Sequence, residues 1–191
     1  MTKGLEKHVM TTRPLVLRLR QFDPLYTAQV AGWVRTPEEL NLLAPATDHP
    51  LTAAKIRSWH KKGVHPFLGW LDDGNEPVGY GEINSMPYTE GQMWLGHILV
   101  APSHRHLGLG RRLVEGLLDI AFEEFGAGNV CLIVFPGNSV AIRCYEAVGM
   151  VEIGPERWRH PETGEISVLL RMEISRKRYR ALQREQRPMS E

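Results

Sequence analysis

The chain has 191 residues, 42% of them apolar and 24% charged, with a formal net charge of +1. That composition belongs to a folded globular chain, and the near-neutral balance demands neither nucleic acid nor an anionic membrane as a partner. No run approaches the roughly 20 apolar residues of a membrane span, the start lacks a signal-peptide pattern, and Cys131 and Cys144 show no metal-ligand spacing, so one cytoplasmic domain with reduced thiols is expected.

Residues 1–13 are polar and aperiodic and read as a flexible N-terminal segment. Residues 15–20 alternate apolar and polar, the period of a strand with one wet face. Asp23 followed by Pro24 opens a short helix to about Val34, with the carboxylate as cap and proline in the first position. Thr36-Pro37-Glu38-Glu39 repeats the device as a capping box, and Thr52 opens a further helix through Ile56 and Trp59. From Pro66 the pattern turns to strands: residues 67–71 and 77–83 flank a turn as a β-hairpin, and residues 93–100 form the next strand.

Between residues 109 and 125 the apolar Leu109, Leu113, Leu117, Ile120 and Ala121 recur at three- and four-residue spacing, which makes a core-facing helix. Residues 130–135 are a continuous apolar run of the kind buried on both faces of a sheet, so strand, helix and strand imply a right-handed parallel crossover. A second helix covers residues 138–148 with Gly149 as its stop. Strands resume at 151–153 and at 166–172, and residues 175–191 read as a basic frayed helix or tail.

The chemistry sits where the strand ending at Val100 leads into the helix from Leu109. Here the chain reads Arg105-His106-Leu107-Gly108-Leu109-Gly110-Arg111. Unpartnered N–H groups at a helix start can donate to a phosphate, and glycines let the backbone approach it; Arg105 and Arg111 would add charged donors at the rim. A bulky residue at Gly110 should then block the ligand and spare the fold. Such a turn is common by itself, and this one lacks the Gly-Lys-Ser/Thr ending of a nucleoside-triphosphate loop and the first glycine of the dinucleotide fingerprint. A second segment runs from Asn138 through Ala141 and Tyr145 to Gly149 and Met150, where the crossover brings it alongside.

Together the two segments resemble the GNAT superfamily of N-acetyltransferases, which carry V-x-P-x-x-[QR]-x-x-G-x-[GA] after the fourth strand and N-x-x-A-x-x-x-Y-x-x-x-G-[FM] after the fifth. The resemblance covers about residues 14–174, with a basic C-terminal tail, 175–191, beyond it. It implies a single-domain α/β fold: a central mixed sheet of seven strands flanked by helices, antiparallel in its first half, whose fourth and fifth strands splay apart to admit acetyl-CoA. It further implies that the backbone at Ile98, Leu99 and Val100 pairs with the pantetheine arm and supplies an oxyanion hole. The diphosphate would lie on His106 to Arg111, Asn138 would contact the cofactor, and Tyr145 would be the general acid. A phenol with a reference pKa of about 10 suits protonation of a departing thiolate; simple packing at helical spacing is the plain alternative.

The general base stays open. Glu82 on the third strand or His97 on the fourth could take the amine's proton, and each also fits a plain role, a solvent-facing strand glutamate or a satisfied imidazole. Family members that acetylate protein N-termini use a glutamate where this chain has Ile133, which weakens that reading. Asp48-His49-Pro50, His60 and His65 fit no zinc spacing and read as solvated, so no metal is expected. Cys144 reads as a packed thiol.

The expected activity is direct acetyl transfer, in a ternary complex, onto a primary amine of a small molecule or peptide. Trp33, Trp59, Tyr88, Trp94 and Trp158 are candidates to line the acceptor cleft, and a homodimer is among the expectations. The alternative is a non-catalytic acyl-CoA-binding sensor. Nucleic-acid binding through the run Arg176-Lys177-Arg178-Tyr179-Arg180 ranks last.

Overall fold

The computed structural model describes residues 15–86 and 89–186. The N-terminal segment read as flexible, and Tyr88, lie outside these residues. The early helices form at the caps their sequences carry. Asp23 accepts from the Leu25 N–H at 2.9 Å, and the turn Pro24–Tyr26 runs into α1 (Thr27–Ala31). Thr36 caps α2 (Pro37–Leu43) through the Glu39 N–H, while the Glu39 carboxylate reaches back to the N–H of Arg35, one residue earlier than a capping box requires. Thr52 caps α3 (Ala53–Trp59) through the Lys55 N–H. These helices bury Val30, Leu40 and Ile56 against Leu68 and Tyr80 of the sheet.

Seven strands form that sheet: β1 (Leu17–Gln21), β2 (Val64–Leu71), β3 (Pro77–Ser85), β4 (Gln92–Val100), β5 (Asn129–Val134), β6 (Val151–Arg159) and β7 (Ile166–Ser175), in the order β1-β2-β3-β4-β5-β7-β6. The first four are antiparallel, β4 and β5 are parallel, and β7 returns antiparallel between β5 and β6. Alternate side chains of a strand face opposite ways, so Tyr80 belongs to the layer of α1 to α3 while Ile83 joins the opposite layer. There α4 (Leu109–Asp119) packs Leu113, Val114 and Leu117 with Val130, Leu132 and Met172. The parallel pairing of β4 with β5 runs only from Gln92 to Trp94, opposite Asn129 to Cys131, and beyond it the strands part. The expected mixed sheet, with its splay between the fourth and fifth strands, is the one found.

On the α4 side, α5 (Ser139–Ala147) is capped by Asn138 and stops at Gly149, whose φ of 91° is the left-handed conformation that glycine adopts without a Cβ clash. Of the two alternatives for the C-terminal segment, a frayed helix or a tail, the helix is found, and it is packed rather than solvated. Residues 176–186 form α6 (Arg176–Gln186), with Tyr179 buried against Phe122 and Leu182 lying against Gly149. The basic residues that made the segment look solvated reach backbone carbonyls: Arg176 donates to Phe122 O at 2.6 Å and Ala127 O at 2.7 Å, and Arg178 to Gly149 O at 2.7 Å. Carbonyls at helix ends lack internal partners, and cations satisfy them well.

Candidate active site

After Val100 the chain makes a short turn, Pro102–His104, and then passes two left-handed residues, His106 (φ 64°) and Gly108 (φ 75°), before α4 begins. Among the described residues the N–H groups of 106–111 donate to no protein acceptor, and Arg112 is the first to find one, Gly108 O at 3.4 Å. A Cβ at Gly108 would meet nothing within 4 Å, so this turn is open on its outer side. Leu107, Gly108, Arg111, Arg112 and Glu115 line a depression of about 310 Å³ over it. Free amides at the positive end of a helix dipole fit the diphosphate of a coenzyme A.

Two details differ from the sequence expectation. Arg105 is not at the rim: its guanidinium turns inward to Glu39 at 2.5 Å, Trp33 O at 3.1 Å and Val100 O at 3.2 Å, tying α1 and α2 to the loop. The Arg105 hydrogen bond in turn holds the Glu39 carboxyl below its ordinary range. At Gly110 a Cβ would point at Cys144 Sγ, 3.6 Å away, and Val100 Cγ2, 3.9 Å away, so bulk there presses on α5 rather than on a ligand alone. Arg111 stays outside, paired with Glu115 at 2.7 Å. Asn138 Oδ1 accepts from the Ala141 N–H at 3.3 Å, which leaves its amide NH2 free to donate elsewhere.

Beyond Trp94 the edge of β4 that bears Ile98, Leu99 and Val100 has no partner on β5, and an unpaired edge presents N–H and C=O groups in a row. On the α4 side of this gap Tyr145 packs half-buried against the core, and burial pushes its phenol above the ordinary value. Cys144 beside it is a packed thiol, pushed up to about 11 by burial. Such a thiol is a poor nucleophile at neutral pH.

On the other face the geometry joins the two candidates for the base. In the β3–β4 ladder Tyr80 pairs with Leu99 and Glu82 with Gly96, so β4 carries one extra residue, a bulge at which His97 takes φ 46°. The bulge aims the His97 ring at Glu82, with Nδ1 2.8 Å from Oε2. Glu82 is 1% exposed, and its other oxygen accepts from the Tyr80 hydroxyl. His60, just past α3, lies with Nε2 3.0 Å from the same hydroxyl, and Trp59 stacks on the His97 ring at 3.9 Å. Burial by itself would raise the Glu82 carboxyl, but the His97 hydrogen bond and charge, the Tyr80 hydroxyl and His60 outweigh it and hold the carboxyl below its ordinary value. Burial, more than the Glu82 charge, drives the Tyr80 phenol far above its ordinary range, and burial also lowers His60.

Glu82 is therefore no solvent-facing strand residue, and His60, read as solvated, is half-buried in a polar chain. The sequence singles out no role for Tyr80, although Tyr80 and Glu82, two apart on one strand, must face the same way, and it gives His60 and Trp59 other roles than these. Among the proposed cleft aromatics, Trp33 is core, Trp59 covers His97, Trp94 is the last β4 residue paired with β5, and Trp158 packs by His160 near the outer hairpin.

A mixed sheet parted between its fourth and fifth strands, beside a loop of free amides, is the architecture expected of an acyl-CoA-dependent acyltransferase. A family model described as "Acetyltransferase (GNAT) family" matches residues 31–150, and the chain belongs to that family. Similar sequences include an uncharacterised Mycobacterium leprae protein, 37% identical over 127 residues, which are 66% of this chain and 34% of that protein. The [Ribosomal protein bS18]-alanine N-acetyltransferase of Escherichia coli strain K12 is 35% identical over 83 residues, 42% of this chain and 55% of the enzyme. The chain thus spans about a third of the first relative and about half of the second. Among solved structures, Vibrio cholerae spermidine N-acetyltransferase in complex with CoA and spermine superposes with TM-score 0.71 at 20% identity, over 85% of this chain and 97% of that one. Aminoglycoside acetyltransferase AAC(6')-Ib with coenzyme A also gives 0.71, at 22% identity over 88% and 99%. At such identities these likenesses show the fold.

Proposed function

We propose that the protein is an acetyl-CoA-dependent N-acetyltransferase that moves the acetyl group directly onto a primary amine of a small molecule or peptide, within a ternary complex. The observation that carries this reading is the placement of an imidazole with one bound and one free nitrogen beside the unpaired edge of β4. His97 Nδ1 lies on Glu82, while Nε2 has no partner among the described residues and the side chain is 25% exposed. Its neighbours from the family comparisons, whose names specify spermidine, aminoglycosides and a ribosomal alanine, all act on amines.

When bound, acetyl-CoA supplies a thioester whose carbonyl carbon is the electrophile and whose thiolate leaves. The amides of 106–111 hold negative charge, Asn138 contributes its amide donor, and the free edge around Ile98, Leu99 and Val100 lends N–H groups to a developing oxyanion. His97 Nε2 takes a proton from the substrate ammonium, which frees the amine lone pair to attack, and Glu82 steadies the imidazolium that results, as a carboxylate does in a catalytic triad; the second proton that the nitrogen loses on becoming an amide balances the one that Tyr145 gives to the sulfur. Tyr145 keeps its proton at neutral pH and is the donor for the leaving sulfur. No protein nucleophile is needed.

Acetyl-CoA offered with a panel of polyamines, aminoglycosides, amino acids and peptides, with thiol release followed, tests the reading. Turnover on at least one amine is expected; CoA binding without turnover on any would favour the sensor. His97→Gln should lower kcat/KM on that amine roughly 100-fold, the usual scale of a general base.

A further inference from the structure

The chain of polar groups behind His97 has a direction, and the direction is fixed by what each atom can donate. Glu82 is ionised and accepts only, so the Tyr80 hydroxyl on one oxygen and the Nδ1–H of His97 on the other must both be donors. A phenol has one proton, and Tyr80 has given it to Glu82; the contact with His60 Nε2 at 3.0 Å can then be a hydrogen bond only if His60 carries its proton on Nε2. Packing holds this order in place: Tyr80 is fully buried, Phe22 sets its ring edge-on against both His60 and Tyr80, and Trp59 clamps the face of His97.

We propose that Tyr80 and His60 are positioning residues that hold Glu82 and thereby set how strongly His97 grips a proton. The inference rests on His97 acting as the base, and it adds a control behind it. A carboxylate that already accepts from a phenol has less charge to spend on an imidazolium; the His60 N–H, by polarising the phenol, strengthens that first bond. Among the described residues, the titratable groups facing His97 are Glu82, then Tyr80 of β3 one hydrogen bond further and His60 after α3 one beyond that. Trp59 on α3 carries no charge, the neighbours Gly96 and Ile98 on β4 carry none, and Arg105 below Val100 is neutralised by Glu39.

The test needs no acceptor. Histidine ring resonances of the full chain are followed by NMR from about pH 4 to 9 in the parent, Tyr80→Phe, His60→Leu and His60→Gln. The expected results are an Nε2–H tautomer at His60 and an upward move of the His97 titration midpoint by about one pH unit in Tyr80→Phe, since the freed carboxylate binds the imidazolium more tightly. His60→Leu should move it the same way by less, and His60→Gln, which keeps an N–H donor, should restore it. His60→Leu also covers the case in which Tyr80→Phe does not fold. A midpoint unmoved in the folded variants, or an Nδ1–H tautomer at His60, overturns the proposal. The base assignment fails separately: parent-like turnover by His97→Gln would remove it and leave these ring titrations as they were.

Discussion

Tyr145 and His97 lie on opposite faces of the sheet, one packed on the α4 side and the other under Trp59. Direct transfer puts different demands on them. The phenol matters when sulfur departs, so Tyr145→Phe should lower kcat by about 10- to 100-fold while the affinity for CoA, measured by calorimetry, changes little. Equal turnover would leave the hydroxyl without a role. Glu82 links the site to stability. Its carboxyl is held below the ordinary value of 4.5 in the fold, so the stability it contributes is present above that value and is lost as pH falls through the lower folded value. Glu82→Gln keeps the shape but removes the anion that accepts from both His97 Nδ1–H and the Tyr80 hydroxyl, and should cost about 3 kcal/mol at pH 7. Urea melts at neutral pH and near pH 3 check this: the gap between parent and variant should narrow in acid.

At the scale of elements, the helix periodicity from Leu109 was readable because α4 turns one apolar stripe to the core and needs no distant residue to be recognised. The point where β4 leaves β5 was legible only as a family expectation, since nothing in the residues around Trp94 marks where pairing stops. His60 was read as solvated for a similar reason: its partner Tyr80 is 20 residues away, across a contact that periodicity does not encode. Gly110 shows how direction is lost in a motif. Read as a gap for a ligand, it is also the contact between α4 and α5, so Gly110→Leu should lower the thermal midpoint by several degrees as well as weakening CoA binding. Loss of binding with an unchanged melting curve would restore the simpler reading.

Across the whole molecule, one layer of core lies between the sheet and α1 to α3, the other under α4, and α6 closes the second. The segment that looked like a solvated tail buries Tyr179 at 7% exposure, covers Gly149 with Leu182, and sends Arg176 and Arg178 to three backbone carbonyls. Ending the chain after Ser175 would uncover Phe122 and leave those carbonyls to water. Two apolar side chains at about 1.5–3 kcal/mol each set the scale, so the truncated protein should lose roughly 3–6 kcal/mol in urea melts. Because α6 lies against the stop of α5, which carries Tyr145, CoA binding should weaken with it. A nucleic-acid arm predicts the reverse: full stability after truncation, and oligonucleotide binding by the parent that falls steeply with salt. Finding that pair of results would return the segment to a tail and release α5 from its dependence on it.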